Sequence, residues 1–178
     1  NAGADIFVHT YNGMSGLHHR EPGMVGAAMT THGTYAEAIC DGHHLNPIAV
    51  RALVNAKGYD HTVLITDCMR AGGMPNGQYK LGDFPVVVEG GTARLMDESH
   101  SLAGSILRLF EGVKNVFDWG IVSAEEAVRM ASENPARSCG IDDVCGFIRP
   151  GYDADFIVVT KDLQLEETFL GGKSVYKA

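Results

Sequence analysis

Paired cysteines, excess basic charge and long apolar runs are all wanting in this 178-residue chain, and each shortage removes a class of protein. The four cysteines (Cys40, Cys68, Cys139, Cys145) show no Cys-x-x-Cys spacing and fall short of a secreted disulfide scaffold. They read as free thiols in a reducing cytoplasm. With 14 Lys and Arg against 22 Asp and Glu, the net charge of −8 argues against nucleic acid or an anionic membrane as the general partner. No apolar run reaches the roughly 18–20 residues of a membrane-spanning helix, and no signal-peptide pattern opens the chain. Walker and dinucleotide glycine patterns, internal repeats and low-complexity segments are absent as well. Residues 1–5 run straight into an apolar segment with no initiator Met, which reads as a chain cut from something longer.

What is present is ordinary for a globular protein: 45% hydrophobic and 20% charged residues, with 22 glycines implying many tight turns. Residues 5–10 read as a short buried strand, followed by a small-residue helix over 23–29 with Pro22 at its first turn. Residues 35–40 form a second strand, closed by Asp41-Gly-His-His44. Asn46 and Pro47 open a helix that Gly58 ends, with Ile48, Val50 (or Leu53) and Val54 on one face. A third strand covers 62–66 and stops at Asp67. Strand–helix alternation of this kind implies a parallel sheet with helical crossovers, and polar groups at carboxyl strand ends are where barrels place chemistry. Beyond a breaker-rich loop at 70–77, the pattern predicts a hairpin on Gly90-Gly91 and an amphipathic helix over 101–117. A capping box at Ser123–Glu126 opens another helix, Asn134-Pro135 restarts a short turn, and short strands follow from 147.

Three strand ends carry candidate chemistry. His9 suits a metal ion, or else a hydrogen-bonded turn. Asp67 can carry a proton from water to a leaving amine, or cap a loop. A neutral His44 could polarise a carbonyl or hold a hydroxyl, while one of His43 and His44 faces solvent. Arg20, between His19 and Glu21, offers a planar fork for phosphate, the plain alternative being a surface ion pair with Glu21. Asn12 and Gly13 could present amide and backbone N–H groups to the same anion. The methionines read as packing, and Ser105, with no base at fixed spacing, does not read as a nucleophile. Leu102-Ala-Gly-Ser105 instead reads as a helix start that approaches a ligand closely. Metal and phosphate candidates so close together suggest hydrolysis of a phosphorylated small molecule.

These motifs resemble the N-acetylglucosamine-6-phosphate deacetylases of the amidohydrolase superfamily. The resembling elements are His9-Thr-Tyr-Asn12-Gly-Met, His18-His-Arg-Glu-Pro-Gly23, Asp41-Gly-His-His44, Leu64-Ile-Thr-Asp67, Leu102-Ala-Gly-Ser105 and Gly151-Tyr-Asp-Ala-Asp155. The resemblance covers about the second half of the family's polypeptide, from its sixth barrel strand on. It implies that His9 binds a divalent metal (zinc, one or two ions) and that Asp67 lies against that metal or its water and serves as general base and acid. It implies that His44 polarises the N-acetyl carbonyl or holds the sugar, and that Asn12 and Gly13 sit at the phosphate. Arg20, with His19, would reach the phosphate of a neighbouring subunit's substrate in a homodimer. The reaction implied is hydrolysis of the acetamide to glucosamine 6-phosphate and acetate.

The remaining metal ligands of the family, a Glu and a His, would lie before Asn1, so the isolated chain is expected to be inactive. The expected fold is α/β: the later strands of a (β/α)8 barrel at 1–77 and 99–146, with part of a small β-sandwich at 78–98 and 147–178. A half barrel leaves edges and an apolar face uncovered, so pairing with the missing half, another copy or another partner is expected. Two rivals remain: another amidohydrolase acting on cyclic amides or ureas, and a non-catalytic fragment that binds sugar phosphate.

Overall fold

The computed structural model describes residues 3–178. Its first sheet is parallel, in the order β1 (Ile6–Phe7), β2 (Tyr35–Ile39), β3 (Thr62–Ile65). Helices α1 (Gly23–Thr30) and α2 (Pro47–Lys57) make the crossovers. Along β2 the side chains alternate as a strand requires. Ala36, Ala38 and Cys40 pack on α2 through Val50, Leu53 and Val54. Two alanines in that row let the helix approach closely. Glu37 lies on the opposite face.

Local signals set α2. The Asn46 side chain accepts the Ile48 N–H at 2.9 Å, Pro47 fills the first helical position, and Gly58 ends the helix at φ +87°. Val50, Leu53 and Val54 are buried as expected, but Ile48 is 77% exposed. At the second helical position its side chain lies outside the stripe that meets β2.

The first strand is shorter than expected. Pairing stops at Phe7, and residues 8–14 fold into successive turns. A larger correction concerns the expected helix over 101–117, because α3 spans Leu109–Asp118 only. Residues 101–107 are instead extended: Leu102 bridges Arg94, and Ser105 bridges Cys68 in parallel. Gly104, at φ +64°, breaks the helical path. A Cβ there would lie 2.9 Å from the Asp67 carbonyl oxygen, so glycine lets this segment lie against the end of β3. The apolar spacing of Leu102 and Ile106 is therefore accidental, and Ile106 packs with the hairpin sheet.

That second sheet joins β4 (Gly77–Leu81), β5 (Phe84–Glu89) and β6 (Thr92–Leu95), all antiparallel. Val86, Val88 and Ala93 bury against Met69, Ala71 and Ala103. Two further helices follow α3. Ser123 and Glu126 form the capping box that starts α4 (Ala124–Ala131). Where a short turn was expected at Asn134-Pro135, the chain forms α5 (Glu133–Ser138). There the buried Asn134 amide donates to the carbonyls of Tyr59 and Thr62 at 2.7 and 2.8 Å. The last sheet, β7 (Phe156–Val159), β8 (Leu165–Leu170) and β9 (Lys173–Lys177), is antiparallel, and nearby Leu163 is buried in the core built on β2. No described helix is long and apolar enough to cross a membrane. All four cysteines are free thiols.

The placement of α2 predicts a contrast. Leu53→Ala should cost about 2–5 kcal/mol of stability through lost burial and a cavity. Ile48→Ala should change it by less than about 0.5 kcal/mol. Urea unfolding of the two variants measures the difference, and comparable losses would show that the helix faces otherwise.

Candidate active site

Parallel pairing brings the carboxyl ends of β1, β2 and β3 to one edge of the sheet. Past β1 the chain turns sharply, with His9 and Tyr11 at φ +35° and +75°. Side chains rarely tolerate this region, so surrounding bonds must hold it. The His9 N–H donates to Glu37 Oε2 at 3.0 Å, the Thr10 N–H to the Glu37 carbonyl at 2.9 Å, and the Tyr11 hydroxyl to the Ala49 carbonyl at 2.9 Å. Nδ1 of the half-buried His9 lies 2.9 Å from the Asn12 carbonyl oxygen. A carbonyl only accepts, so Nδ1 carries a proton, and in the neutral ring Nε2 keeps the lone pair. The Asn12 side chain donates back to the Thr10 carbonyl at 3.4 Å, and exposed Gly13 follows at φ +69°.

The end of β2 is organised by Asp41. Its Oδ1 accepts the backbone N–H groups of His43 and His44, both at 2.8 Å, and its Oδ2 accepts His44 Nδ1 at 2.7 Å. The His44 and Asp41 side chains are only 6% and 10% exposed. This bond fixes the ring and leaves His44 Nε2 free to engage a ligand. Burial pushes the Asp41 carboxyl up, but the bonds from the His44 ring and the two backbone N–H groups outweigh it and hold the group below its ordinary 3.8. The neighbouring Cys40 thiol is pushed up to about 12 by burial and by Asp41, which makes it a poor nucleophile. His43 is the exposed histidine of the pair. Asp41 carried no role in the sequence reading, although a carboxylate three residues before a histidine is a visible local signal.

At the end of β3, Asp67 is exposed and strained, with φ +46°. Its backbone is clamped by the segment after Gly104. The Ser105 N–H donates to the Asp67 carbonyl at 2.8 Å, the Met69 N–H to the Ser105 carbonyl at 2.8 Å, and the Ser105 hydroxyl to the Thr66 carbonyl. Ser105 thus holds the strand end. Leu102-Ala-Gly-Ser105, expected to begin a helix beside a ligand, lies against Asp67 in extended form instead.

His19 and Arg20 sit on an exposed turn between β1 and α1, closed by reciprocal backbone bonds between His18 and Glu21 at 3.1 and 3.2 Å. Arg20 Nη1 donates to His19 Nε2 at 2.9 Å. Among the described residues Arg20 makes no ion pair, so the alternative of a salt bridge with Glu21 is not realised. His9, Asn12 and Gly13 share one turn, and Asp41 pairs with His44. Asp67 stands on the adjacent strand end, and among the described residues its side chain makes no hydrogen bond or ion pair with either group.

His9 has the oriented imidazole of a metal ligand, and Asp67 has an uncommitted carboxylate. Yet among the described residues no three His, Cys, Asp or Glu side chains gather to hold an ion. A catalytic zinc ordinarily takes three protein ligands, so these residues do not by themselves fit a metal centre.

Carboxyl strand ends of a parallel α/β sheet are where such folds place their ligand and catalytic groups. Residues 23–175 match the model of the amidohydrolase family, to which this chain belongs. It is 45% identical to the N-acetylglucosamine-6-phosphate deacetylase of Vibrio furnissii, over 99% of this chain and 44% of that protein. An Escherichia coli (strain K12) protein, provisionally assigned as an N-acetylgalactosamine-6-phosphate deacetylase, is 42% identical over 93% of this chain and 98% of its own length. The crystal structure of N-acetylglucosamine-6-phosphate deacetylase from Thermotoga maritima superposes with a TM-score of 0.90 at 35% identity. That match covers 99% of this chain and 48% of the other. The chain thus spans a little under half the length of the deacetylases it matches from V. furnissii and T. maritima.

Two outcomes follow from the geometry. The depressed Asp41 carboxyl contributes stability that is full above about pH 3.8, where both folded and unfolded forms are ionised. It is lost as pH falls through the lower folded value, so the stability gap between wild type and Asp41→Asn should shrink below pH 3.8 in urea titrations. A gap independent of pH would contradict the bond pattern. At Asp67, glycine removes the left-handed strain, so Asp67→Gly should be more stable than Asp67→Ala by about 1 kcal/mol. Equal melting midpoints would deny that strain.

Proposed function

We propose that this chain is the carboxyl-terminal portion of a (β/α)8-barrel deacetylase of N-acetylated amino-sugar phosphates. In this reading β1, β2 and β3 are its last three barrel strands. Residues 1–77 and 99–146 form the barrel part, while 78–98 and 147–178 belong to a small β-sandwich. The observation that carries the reading is the gathering of His9, the Asp41–His44 pair and Asp67 at one sheet edge, in a chain close in sequence to proteins named as deacetylases.

The reaction would hydrolyse the acetamide of N-acetylglucosamine 6-phosphate to glucosamine 6-phosphate and acetate. Asp67 would accept a proton from the attacking water and deliver it to the departing amine. His44, its ring set by Asp41, would use Nε2 to hold the N-acetyl carbonyl or a sugar hydroxyl. Asn12 and the Gly13 backbone would face the phosphate. Arg20 and His19, on their exposed turn, would reach the phosphate in the neighbouring subunit of a homodimer. His9 Nε2 and Asp67 would be two donors to a divalent metal, zinc, whose other ligands come from outside residues 1–178. Free cysteines suit a cytoplasmic enzyme.

By itself the chain would keep the sugar-phosphate groups without a complete ligand set among the described residues, which favours a non-catalytic piece until the missing half or another copy joins it. The purified chain with added zinc should show no deacetylation above background. Turnover at the rate of a full-length relative would overturn this. In an active assembly, Arg20→Ala should raise KM for the phosphorylated substrate about 10- to 100-fold, as expected for losing a charge-assisted contact. KM for the unphosphorylated sugar should not change, and an equal rise for both would place Arg20 away from the phosphate.

A further inference from the structure

A cavity of about 540 Å³ adjoins the candidate site without including His9, His44 or Asp67. The loop after β2 forms one wall with Asp41 and His43, and the first turns of α3 form another with Arg108 and Glu111. Gly91, at the tip of the β5–β6 hairpin, borders it, where an added Cβ would lie 3.5 Å from His43 Nε2. Met74 and Ile106 supply an apolar patch.

Most polar groups along these walls are already engaged. Asp41 holds His44, the Asn115 amide donates to the Cys40 carbonyl at 2.8 Å, and Glu111 Oε2 accepts the Arg108 backbone N–H at 3.2 Å. The side chains of Arg108 and His43 are different. Among the described residues neither makes a hydrogen bond or an ion pair, and both line the same space. One is a fixed guanidinium fork and the other an imidazole, so together they present nitrogen donors to an anion. The second carboxylate oxygen of Glu111 and the side-chain Oδ1 of Asn115 remain as acceptors for hydroxyl groups. A volume of this order suits a small metabolite better than a bare ion.

We propose that this cavity is a second ligand site, which takes a polyhydroxylated anion of hexose size through Arg108 and His43. It shares only the Asp41 wall with the candidate active site and does not rest on the deacetylase reading. Phosphate and carboxylate would both satisfy the two donors, so a sugar phosphate and a sugar acid are the two sources to separate.

Isothermal titration of the chain, in its native assembly and carrying Arg20→Ala, tests the site with glucosamine 6-phosphate and gluconate as probes. The Arg20→Ala background removes the phosphate contact proposed for the active site. Saturable binding of at least one probe is expected there, and the probe that binds identifies the anion. Adding Arg108→Ala should weaken it tenfold or more. Met74→Trp, which fills the cavity while leaving both donors, should do the same, and circular dichroism verifies the fold of each variant. Absence of saturable binding in the Arg20→Ala background overturns the proposal, as does an unchanged Kd in the Arg108→Ala and Met74→Trp variants. Either result leaves the deacetylase reading intact, because that reading is tested by turnover and by Arg20 alone.

Discussion

Because β1, β2 and β3 run parallel, with Phe7 beside Ala36 and Ile39 beside Ile65, their carboxyl ends fall at one edge of the sheet. Reversing any one strand would send its terminal residue to the far side of the molecule. Register matters equally. A one-residue slip of β2 would turn Glu37 toward the helices and Ala36 away from them. The His9 backbone would then lose its carboxylate acceptor, and α2 would meet a charge in place of a methyl group. The apolar row Ala36, Ala38 and Cys40 therefore protects the site indirectly, since burying it against α2 and α3 is what fixes the register.

Local chemistry was legible and distant contacts were not. Asn46, Pro47 and Gly58 bound α2 by interactions within a few residues, and the Ser123–Glu126 pair did the same for α4. Periodicity misled at Leu102 and Ile106, because the partners that keep this stretch extended, Arg94 and the end of β3, cannot be seen from spacing. Gly104 was the available warning inside the expected helix. At the site, His9, His44 and Asp67 stood out as polar ends of apolar runs. Glu37 did not, because its bond to the His9 backbone spans 28 residues. Backbone strain at Tyr11 was equally hidden, and at His9 and Asp67 the general tolerance of His and Asp for positive φ is too weak a signal to place it.

Several large apolar side chains remain in water. Ile148 is 89% exposed and Phe84 62%, and β9 is exposed along its whole length. Edge strands with apolar exposure are sites where another polypeptide can add. Among the described residues β1 pairs on one side only, which leaves its other edge unpaired beside the turn that carries His9. A strand added there would sit next to the candidate ligand. The same position could thus close the sheet and bring further donors to the site, so structural completion and chemical completion would be one event.

Whether that event needs the metal to shape the site follows from where the strain is held. The His9 turn is secured by Glu37, Asn12 and Thr10, and the Asp67 turn by the Gly104–Ser105 segment lodged against it. All of these are protein contacts. Left-handed conformations costing of order 1–3 kcal/mol each persist because the surrounding fold over-determines them. If the proposed reading holds, two donors fixed in this way would lose little freedom on binding an ion, and the His9 ring is already oriented by the Asn12 carbonyl. The His9 and Asp67 backbones are therefore held by the fold alone, and in the proposed reading a partner segment would supply additional ligands rather than order.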